Sequence, residues 1–331
     1  MKVAPALACG NSIIIKTSEK NPFSTLFAAS LANEAGIPPG ALSCLTGGAE
    51  VGEALASHPA IRKISFTGSV KVGKLVHIAA AKSNLKSVTT ELGGKSPIIV
   101  FPDADLEKAL SDATMFLMMN GQGCALGTRL YLHHSIANRF VEKLVARIQE
   151  HCAGLGGHPL SPHTHSSPLY HHEQKYSVSK SLEVGKKQAT LLCGGKFLGA
   201  TGCYVEPAIF ANATRDAVIV RDELFGPILV VAQFSTEEEV LSLANNTEFG
   251  LASYVWTGDV GRALRFSRLL ESGSVSINGA GFISPDVPMG GWKRKCQTAF
   301  ALSIHLYFNL PQLTIFPQQR VAMVLRMAKM R

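Results

Sequence analysis

Two side chains in this sequence have the type and surroundings for covalent chemistry on a carbonyl carbon. Cys124 stands in Asn120-Gly121-Gln122-Gly123-Cys124-Ala125-Leu126-Gly127-Thr128-Arg129, and Glu91 in Thr90-Glu91-Leu92-Gly93-Gly94-Lys95-Ser96-Pro97. A thiolate can attack the carbonyl, and a carboxylate can then activate water to release the acyl group, which replaces one high barrier with two lower ones. Each residue also has a plainer reading. A cysteine is most often an inert small hydrophobe, and Glu91 could be a surface carboxylate at the end of a strand.

The elements that must hold these groups alternate. Ser12–Lys16 reads as a β-branched strand, and Phe23–Ala35 as a helix that begins near Pro22 and stops at Gly36. Leu42–Thr46, Val51–Ser57, Lys63–Thr67, Val70–Lys82 and Lys86–Leu92 continue the pattern. Such alternation predicts a parallel, doubly wound sheet with ligands at the carboxyl ends of its strands. Glycines mark two of the strand-to-helix turns, Thr46-Gly47-Gly48 and Thr67-Gly68-Ser69. A phosphate could approach the backbone there. Gly68 and Gly73 follow a strand with four residues between them, but the sequence contains no G-x-G-x-x-G fingerprint. That spacing alone marks a tight turn as readily as a nucleotide site.

A second α/β block starts at Pro97. Asp103–Met119 is predicted as a helix, with Asp103 or Asp105 at its start, and the Cys124 loop follows it. A strand over Leu130–His133 and a helix over Ala137–Gln149 come next, then a Gly-, Pro- and His-rich loop over 153–172. Later strands are predicted at Val218–Ile219, Ile228–Phe234, Leu251–Trp256 and Gly273–Asn278. Helices are predicted at Thr236–Asn245 and Asp259–Glu271.

Composition narrows the function classes. The chain has 331 residues, 46% hydrophobic and 17% charged, which suits an α/β globule with a substantial core. The net charge of +8 is misleading. Arg294, Lys295, Arg320, Arg326, Lys329 and Arg331 lie in a tail without acidic residues, so the rest of the chain is close to neutral. No nucleic-acid partner is expected from the body. The tail gives modest electrostatic support for a membrane-surface segment, though a membrane role is not the leading expectation. Ala299–Pro317 comes nearest to a membrane span, but His305, Asn309 and Pro311 break it.

The seven cysteines are scattered, with no C-x-x-C pair, which points to a reducing compartment without a disulfide framework. Six of them, Cys9, Cys44, Cys152, Cys193, Cys203 and Cys296, are expected to be inert and buried. The apolar run after Lys2 is short and contains Pro5, so it is not read as a secretion signal, and the expected location is cytoplasmic. His158, His163, His165, His171 and His172 lie in the Pro/Ser loop without helical spacing, so a solvated loop is expected rather than a metal site.

Taken together, these motifs are similar to those of the NAD(P)-dependent aldehyde dehydrogenase superfamily, and residues 1 to about 293 follow that family in order. The Glu91 and Cys124 motifs are joined by Lys16-Thr17-Ser18-Glu19, Phe66-Thr67-Gly68-Ser69, Asp222-Glu223-Leu224-Phe225-Gly226-Pro227 and Pro288-Met289-Gly290-Gly291-Trp292-Lys293. The resemblance implies an α/β fold. It consists of a partial doubly wound, Rossmann-like cofactor domain over 1–93, a catalytic thiol domain over 94–293 and a divergent tail over 294–331.

The resemblance further implies Cys124 as nucleophile and Glu91 as general base, with the Cys124 backbone N–H helping to stabilise the oxyanion. NAD would be held by Lys16, Glu19, Gly68, Ser69, Leu92, Glu223 and Phe225. A carboxylate at Glu19 favours NAD over NADP, because it accepts from a 2′-hydroxyl and repels a 2′-phosphate. As plainer readings, Glu19 could be a helix-start charge and Glu223 a helix cap.

The family usually carries an earlier stretch with the first sheet strand and an Asn that completes the oxyanion hole. This sequence begins after both, so the cofactor domain is expected to be incomplete. Leu126 replaces a usually small residue beside the thiol and is expected to narrow the site. The substrate implied is a small aldehyde. A homo-oligomer is possible, although the family's pairing strand is not evident. Two other readings stand beside the dehydrogenase: an inactive paralogue acting as a scaffold, and a cofactor-free thiol esterase.

Overall fold

A computed structural model describes residues 2–157, 161, 164, 167–199, 202–279 and 290–293, together with the backbone of 303–306 and 313–315. The first 91 residues form α1 (Val3–Ala8), β1 (Ile13–Lys16), α2 (Phe23–Glu34), β2 (Leu42–Leu45), α3 (Ala49–Ser57), β3 (Lys63–Thr67), α4 (Val70–Ser83) and β4 (Ser87–Glu91). Pro5 lies in the first turn of α1, where its missing N–H has no helical partner to lose, so the segment read as too broken for a signal is a short helix.

The predicted strands of this unit are all present, but they do not make one sheet. β1 pairs only with β2, and β3 only with β4, both in parallel. The parallel α/β character expected of an incomplete cofactor unit is present, with its strands in two separate two-stranded ribbons. Periodicity reveals which segments are strands, but neighbours are selected in three dimensions.

The larger body contains β5 (Ser96–Val100), α5 (Leu106–Ala113), a 3₁₀ turn (Met115–Met119), β6 (Gly127–His133) and α6 (His134–Ala153). It continues with α7 (His172–Gln188), β7 (Thr190–Cys193), β8 (Phe197–Leu198), β9 (Tyr204–Val205), β10 (Ala208–Ala211), α8 (Val218–Arg221) and β11 (Ile228–Phe234). It ends with α9 (Glu237–Asn245), β12 (Ala252–Trp256), α10 (Val260–Leu269), β13 (Ser274–Ile277), β14 (Ser303–Leu306) and β15 (Leu313–Ile315).

Nine strands form one sheet in the order β15-β14-β13-β12-β5-β6-β11-β10-β7, parallel except for the two edge pairs. The tail thus supplies two strands, where its sequence suggested only an unrelated apolar and basic segment.

Alternation along the central strands divides the core. Ile98, Val100, Leu130, Leu132, Tyr254 and Trp256 face Phe116, Leu117, Phe140 and Leu144 on one side. Ile99, Phe101, Tyr131, Val255 and Ile277 face Phe234, Val240 and Phe266 on the other. Each large apolar side chain buried in this way contributes about 1.5–3 kcal/mol relative to exposure.

The predicted helix over Asp103–Met119 is in fact two pieces. Asp105 caps α5 by accepting from the Lys108 N–H (3.2 Å), and the chain tightens into the 3₁₀ turn after Ala113. Val218–Ile219, expected as a strand, is the start of α8. Two β-branched residues are too few to specify extension once a cap is available, and the Gln188 side chain accepts from the Val218 N–H (2.9 Å). Among the described residues, no helix is long and apolar enough to cross a membrane.

Candidate active site

Glu91 is the last residue of β4, opposite Thr67 of β3, and its carbonyl accepts from the Gly68 N–H (3.0 Å). The turn after β3 and the strand end bearing the carboxylate are therefore one construction. Ser69 caps α4, its hydroxyl accepting from the Val72 N–H (3.3 Å). A Cβ on Gly73 would lie 2.8 Å from Leu92 Cδ2, so the second glycine of the G-x₄-G spacing lets α4 pack on Leu92. Gly73 thus serves helix packing.

Lys2 donates to the Thr67 hydroxyl (2.5 Å) beside Glu91. Burial lowers its pKa, while the Glu91 carboxylate pulls it back up. Sequence reading passed over this residue because the apolar run that follows it resembles a leader.

Beyond Glu91 the chain crosses Gly93 and Gly94 under a second carboxylate. Glu223 Oε1 accepts from the Gly94 N–H (2.7 Å), and a Cβ on Gly93 would fall 1.5 Å from Glu223 Oε2. Only glycine lets the backbone approach this closely. Phe225, next in the same loop, has φ +47°, and Gln174 donates to the Leu224 and Phe225 carbonyls (3.0 and 2.8 Å).

The Cys124 loop rests on that segment. Gly121 has φ +71°, and a Cβ there would lie 1.9 Å from the Gly226 carbonyl oxygen. Asn120, at φ +49°, is buried. Cys124 sits in a turn closed by the Leu126 N–H donating to the Gly123 carbonyl (3.2 Å). The Leu126 side chain folds over Gly123, where an added Cβ would be 2.9 Å away. The expected narrowing beside the thiol thus has a physical basis.

Gly94, Lys95, Gly121, Gly123, Leu126, Thr128 and Glu223–Gly226 line a small open cleft, with Cys124 between two of the lining residues in sequence. The fold so gathers the Gly93–Lys95 segment, the Cys124 loop and the Glu223 loop. Gly68, Ser69 and Leu92 lie at the adjacent β3–α4 turn and strand end, outside this lining.

Lys16 and Glu19 are at the end of β1 in the other ribbon, with Glu19 exposed. Lys16 faces Glu50, whose carboxylate accepts from the Gly48 N–H (2.9 Å) and is held below its usual range chiefly by backbone hydrogen bonds.

Lys95 is the residue of this cleft that sequence reading did not single out, although it stands inside the Glu91 motif. It is almost wholly buried. Burial first, then the Arg129 charge, lowers its pKa to about 7, against the opposing pull of Asp222 and Glu223. Arg129 is buried too, and donates to the Lys95, Leu243 and Ala244 carbonyls at 2.8–3.2 Å. It ties the strand after the Cys124 loop to the end of α9.

His171 caps α7, and His172 lies 3.5 Å from the Cys203 sulfur, while His158, His163 and His165 fall outside the described residues. Cys9 is exposed, contrary to the expectation of burial, because α1 contributes no buried residue. Burial pushes the Cys152 thiol up to about 11 and the Cys193 thiol in the same direction. Cys296 and Pro288–Met289 are outside the described residues.

The fold and this constellation coincide with one family. Residues 1–301 match the model of the aldehyde dehydrogenase family, and the chain belongs to it. Similar curated proteins include retinal dehydrogenase 2 of Homo sapiens, 43% identical over 295 residues, which are 88% of this chain and 56% of that protein. An aldehyde dehydrogenase of Davidiella tassiana is 41% identical, with 88% of this chain and 59% of the relative covered.

Among solved structures, an indole-3-acetaldehyde dehydrogenase complexed with NAD⁺ superimposes with a TM-score of 0.86 at 39% identity. The match covers 89% of this chain and 60% of that one. A Staphylococcus aureus betaine aldehyde dehydrogenase in complex with NAD⁺ gives 0.84 at 33% identity, with 89% and 59% covered. The chain spans little more than half the length of the curated relatives it matches.

Proposed function

We propose that this chain carries out NAD-dependent oxidation of an aldehyde to a carboxylic acid, with Cys124 as nucleophile and Glu91 as general base. The observation that carries this reading is the stacking of three motifs at one cleft. The segment after Glu91 passes under Glu223, and the loop of Glu223 supports the loop of Cys124.

Cys124 adds to the aldehyde carbon as thiolate, and its own backbone N–H is available to the oxygen that gains charge. Oxidation of the adduct leaves an acyl thioester on Cys124. Glu91 then takes a proton from water, which attacks the thioester and frees the acid and the thiolate. NAD, when bound, supplies the hydride acceptor for the oxidation.

The residues at hand suit that cofactor. The N-terminus of α4 has no acidic residue in its first turn and favours a pyrophosphate next to Gly68 and Ser69. Glu223, with Phe225 beside it, would hold the nicotinamide ribose. Lys16 and Glu19 would hold the adenosine ribose, and the Glu19 charge disfavours a 2′-phosphate. Leu92 packs beneath the turn.

Two neighbouring solved structures are NAD⁺ complexes, which supports the same choice. The substrate class is a small aldehyde, and the proposed location is cytoplasmic.

One observation favours a second reading, a binding scaffold without turnover. The cofactor unit is split into two ribbons, so the Lys16–Glu19 turn and the Gly68–Ser69 turn belong to separate sheets. NADH formation from NAD and a panel of aldehydes, with Cys124→Ala as control, decides between the two. Turnover lost in the variant supports the dehydrogenase. A folded protein with neither turnover nor calorimetric NAD binding leaves the scaffold.

A further inference from the structure

The loop that carries Cys124 is held from behind by a side chain 129 residues further along the chain, on a strand two places from β6 in the sheet. Tyr254 of β12 reaches across β5 and donates its hydroxyl to the Ala125 carbonyl (2.7 Å). Tyr254 is only 4% exposed, so its ring is fixed by packing while its hydroxyl meets the partly buried Ala125 carbonyl. The same peptide group is engaged on its other side as well, since the Leu126 N–H closes the turn onto Gly123. The single peptide unit joining Ala125 to Leu126 is therefore fixed at both its oxygen and its hydrogen.

Gly127 makes room for this arrangement. A Cβ there would lie 2.3 Å from Ile98 Cγ1, so glycine lets the loop exit lie against Ile98, with the Tyr254 ring at contact distance (3.5 Å). Burial, reinforced by the Cys124 thiol, pushes the phenol pKa well up, so the hydroxyl keeps the proton it donates.

We propose that Tyr254 is a positioning residue for the Cys124 turn. Through the Ala125 carbonyl it sets the direction of the thiol and of the Cys124 backbone N–H. The inference rests on the reading of Cys124 as nucleophile. It does not make Tyr254 a catalytic residue, because its hydroxyl meets the backbone and not the substrate.

Tyr254→Phe removes only the donor. Tyr131→Phe is the control for loss of a buried tyrosine hydroxyl: Tyr131 is equally buried in the same sheet and donates to the Leu243 carbonyl (3.3 Å), and it also accepts from Arg129 (3.2 Å). It faces the opposite core.

Two readouts are taken on the full chain: the iodoacetamide alkylation rate of Cys124 relative to exposed Cys9, by peptide mass spectrometry across pH, and kcat and KM for the aldehyde. In Tyr254→Phe the Ala125 carbonyl turns to find another donor. The Cys124-to-Cys9 rate ratio is expected to fall roughly threefold or more, the size of one lost hydrogen bond. The kcat is expected to fall about tenfold at nearly constant KM. Tyr131→Phe is expected to lower the thermal midpoint while leaving both readouts unchanged.

An unchanged ratio and kcat in Tyr254→Phe overturn the proposal. So does an equal effect in Tyr131→Phe, or a Tyr254→Phe chain that fails to fold where Tyr131→Phe folds. A parent protein whose Cys124 reacts no faster than Cys9 overturns the nucleophile reading itself. That result is seen before any variant is compared.

Discussion

The Glu223 carboxylate occupies the space that a side chain on Gly93 would need. One of its oxygens accepts from the Gly94 N–H at 2.7 Å, and the other lies 1.5 Å from where a Gly93 Cβ would stand. A residue proposed to hold the cofactor is thus locked onto the strand exit that carries the proposed general base.

Gly93→Ala is accordingly expected to expel Glu223 while the fold survives. The obstructing atoms belong to the end of a flexible side chain, which can swing away. Calorimetric NAD affinity should drop about tenfold or more, the size of a lost charge-assisted hydrogen bond. Gly121→Ala should be worse. Its obstacle is the Gly226 backbone, and its φ of +71° is strained for alanine. Chemical denaturation should show a loss of several kcal/mol, about 3 or more.

The division of labour between Cys124 and Glu91 has its own kinetic signature. Cys124→Ala should abolish NADH formation. Glu91→Gln should leave the first turnover and block the release of acid. Rapid mixing should therefore show a burst of NADH of about one equivalent per site, followed by a steady rate lower by about 100-fold or more. A Glu91→Gln protein that loses the burst as well would place Glu91 before thioester formation.

Lys95 makes stability depend on pH. Its folded-state pKa of about 7 lies below the ordinary lysine value of 10.5, so between those limits the unfolded chain binds more protons than the folded one. Stability from this group should rise with pH across that window, by up to about 1.4 kcal/mol per unit. Below about pH 7 the group is protonated in both states, so its contribution should level off there. Urea unfolding from pH 6 to 9.5 measures the slope, and Lys95→Met should flatten it.

Arg129→Leu should cost about 3–5 kcal/mol in the same assay, since it leaves buried carbonyls of Lys95, Leu243 and Ala244 without their donor. The loss should appear as a lower urea midpoint with Cys124 still alkylated in the surviving folded fraction.

Much of this protein is determined by local sequence. The strand and helix pattern, the Asp105 and Ser69 caps, and the glycines that flank Glu91 and Cys124 all follow from residue type and spacing. These are short-range properties, set by hydrogen bonding and side-chain bulk within a few residues. The motifs in their order were enough to place the chain in its family.

Other features were settled only by tertiary structure. Nothing local says that β3 pairs with β4 and not with β1, or that β12 lies beside β5. Nor does spacing reveal that Lys2 reaches the Glu91 strand end, that Lys95 is buried between Arg129 and two carboxylates, or that Tyr254 holds the Ala125 carbonyl. Each of these depends on groups distant in sequence meeting in a low-dielectric interior. There, desolvation and a single donor acquire a strength they lack in the extended chain.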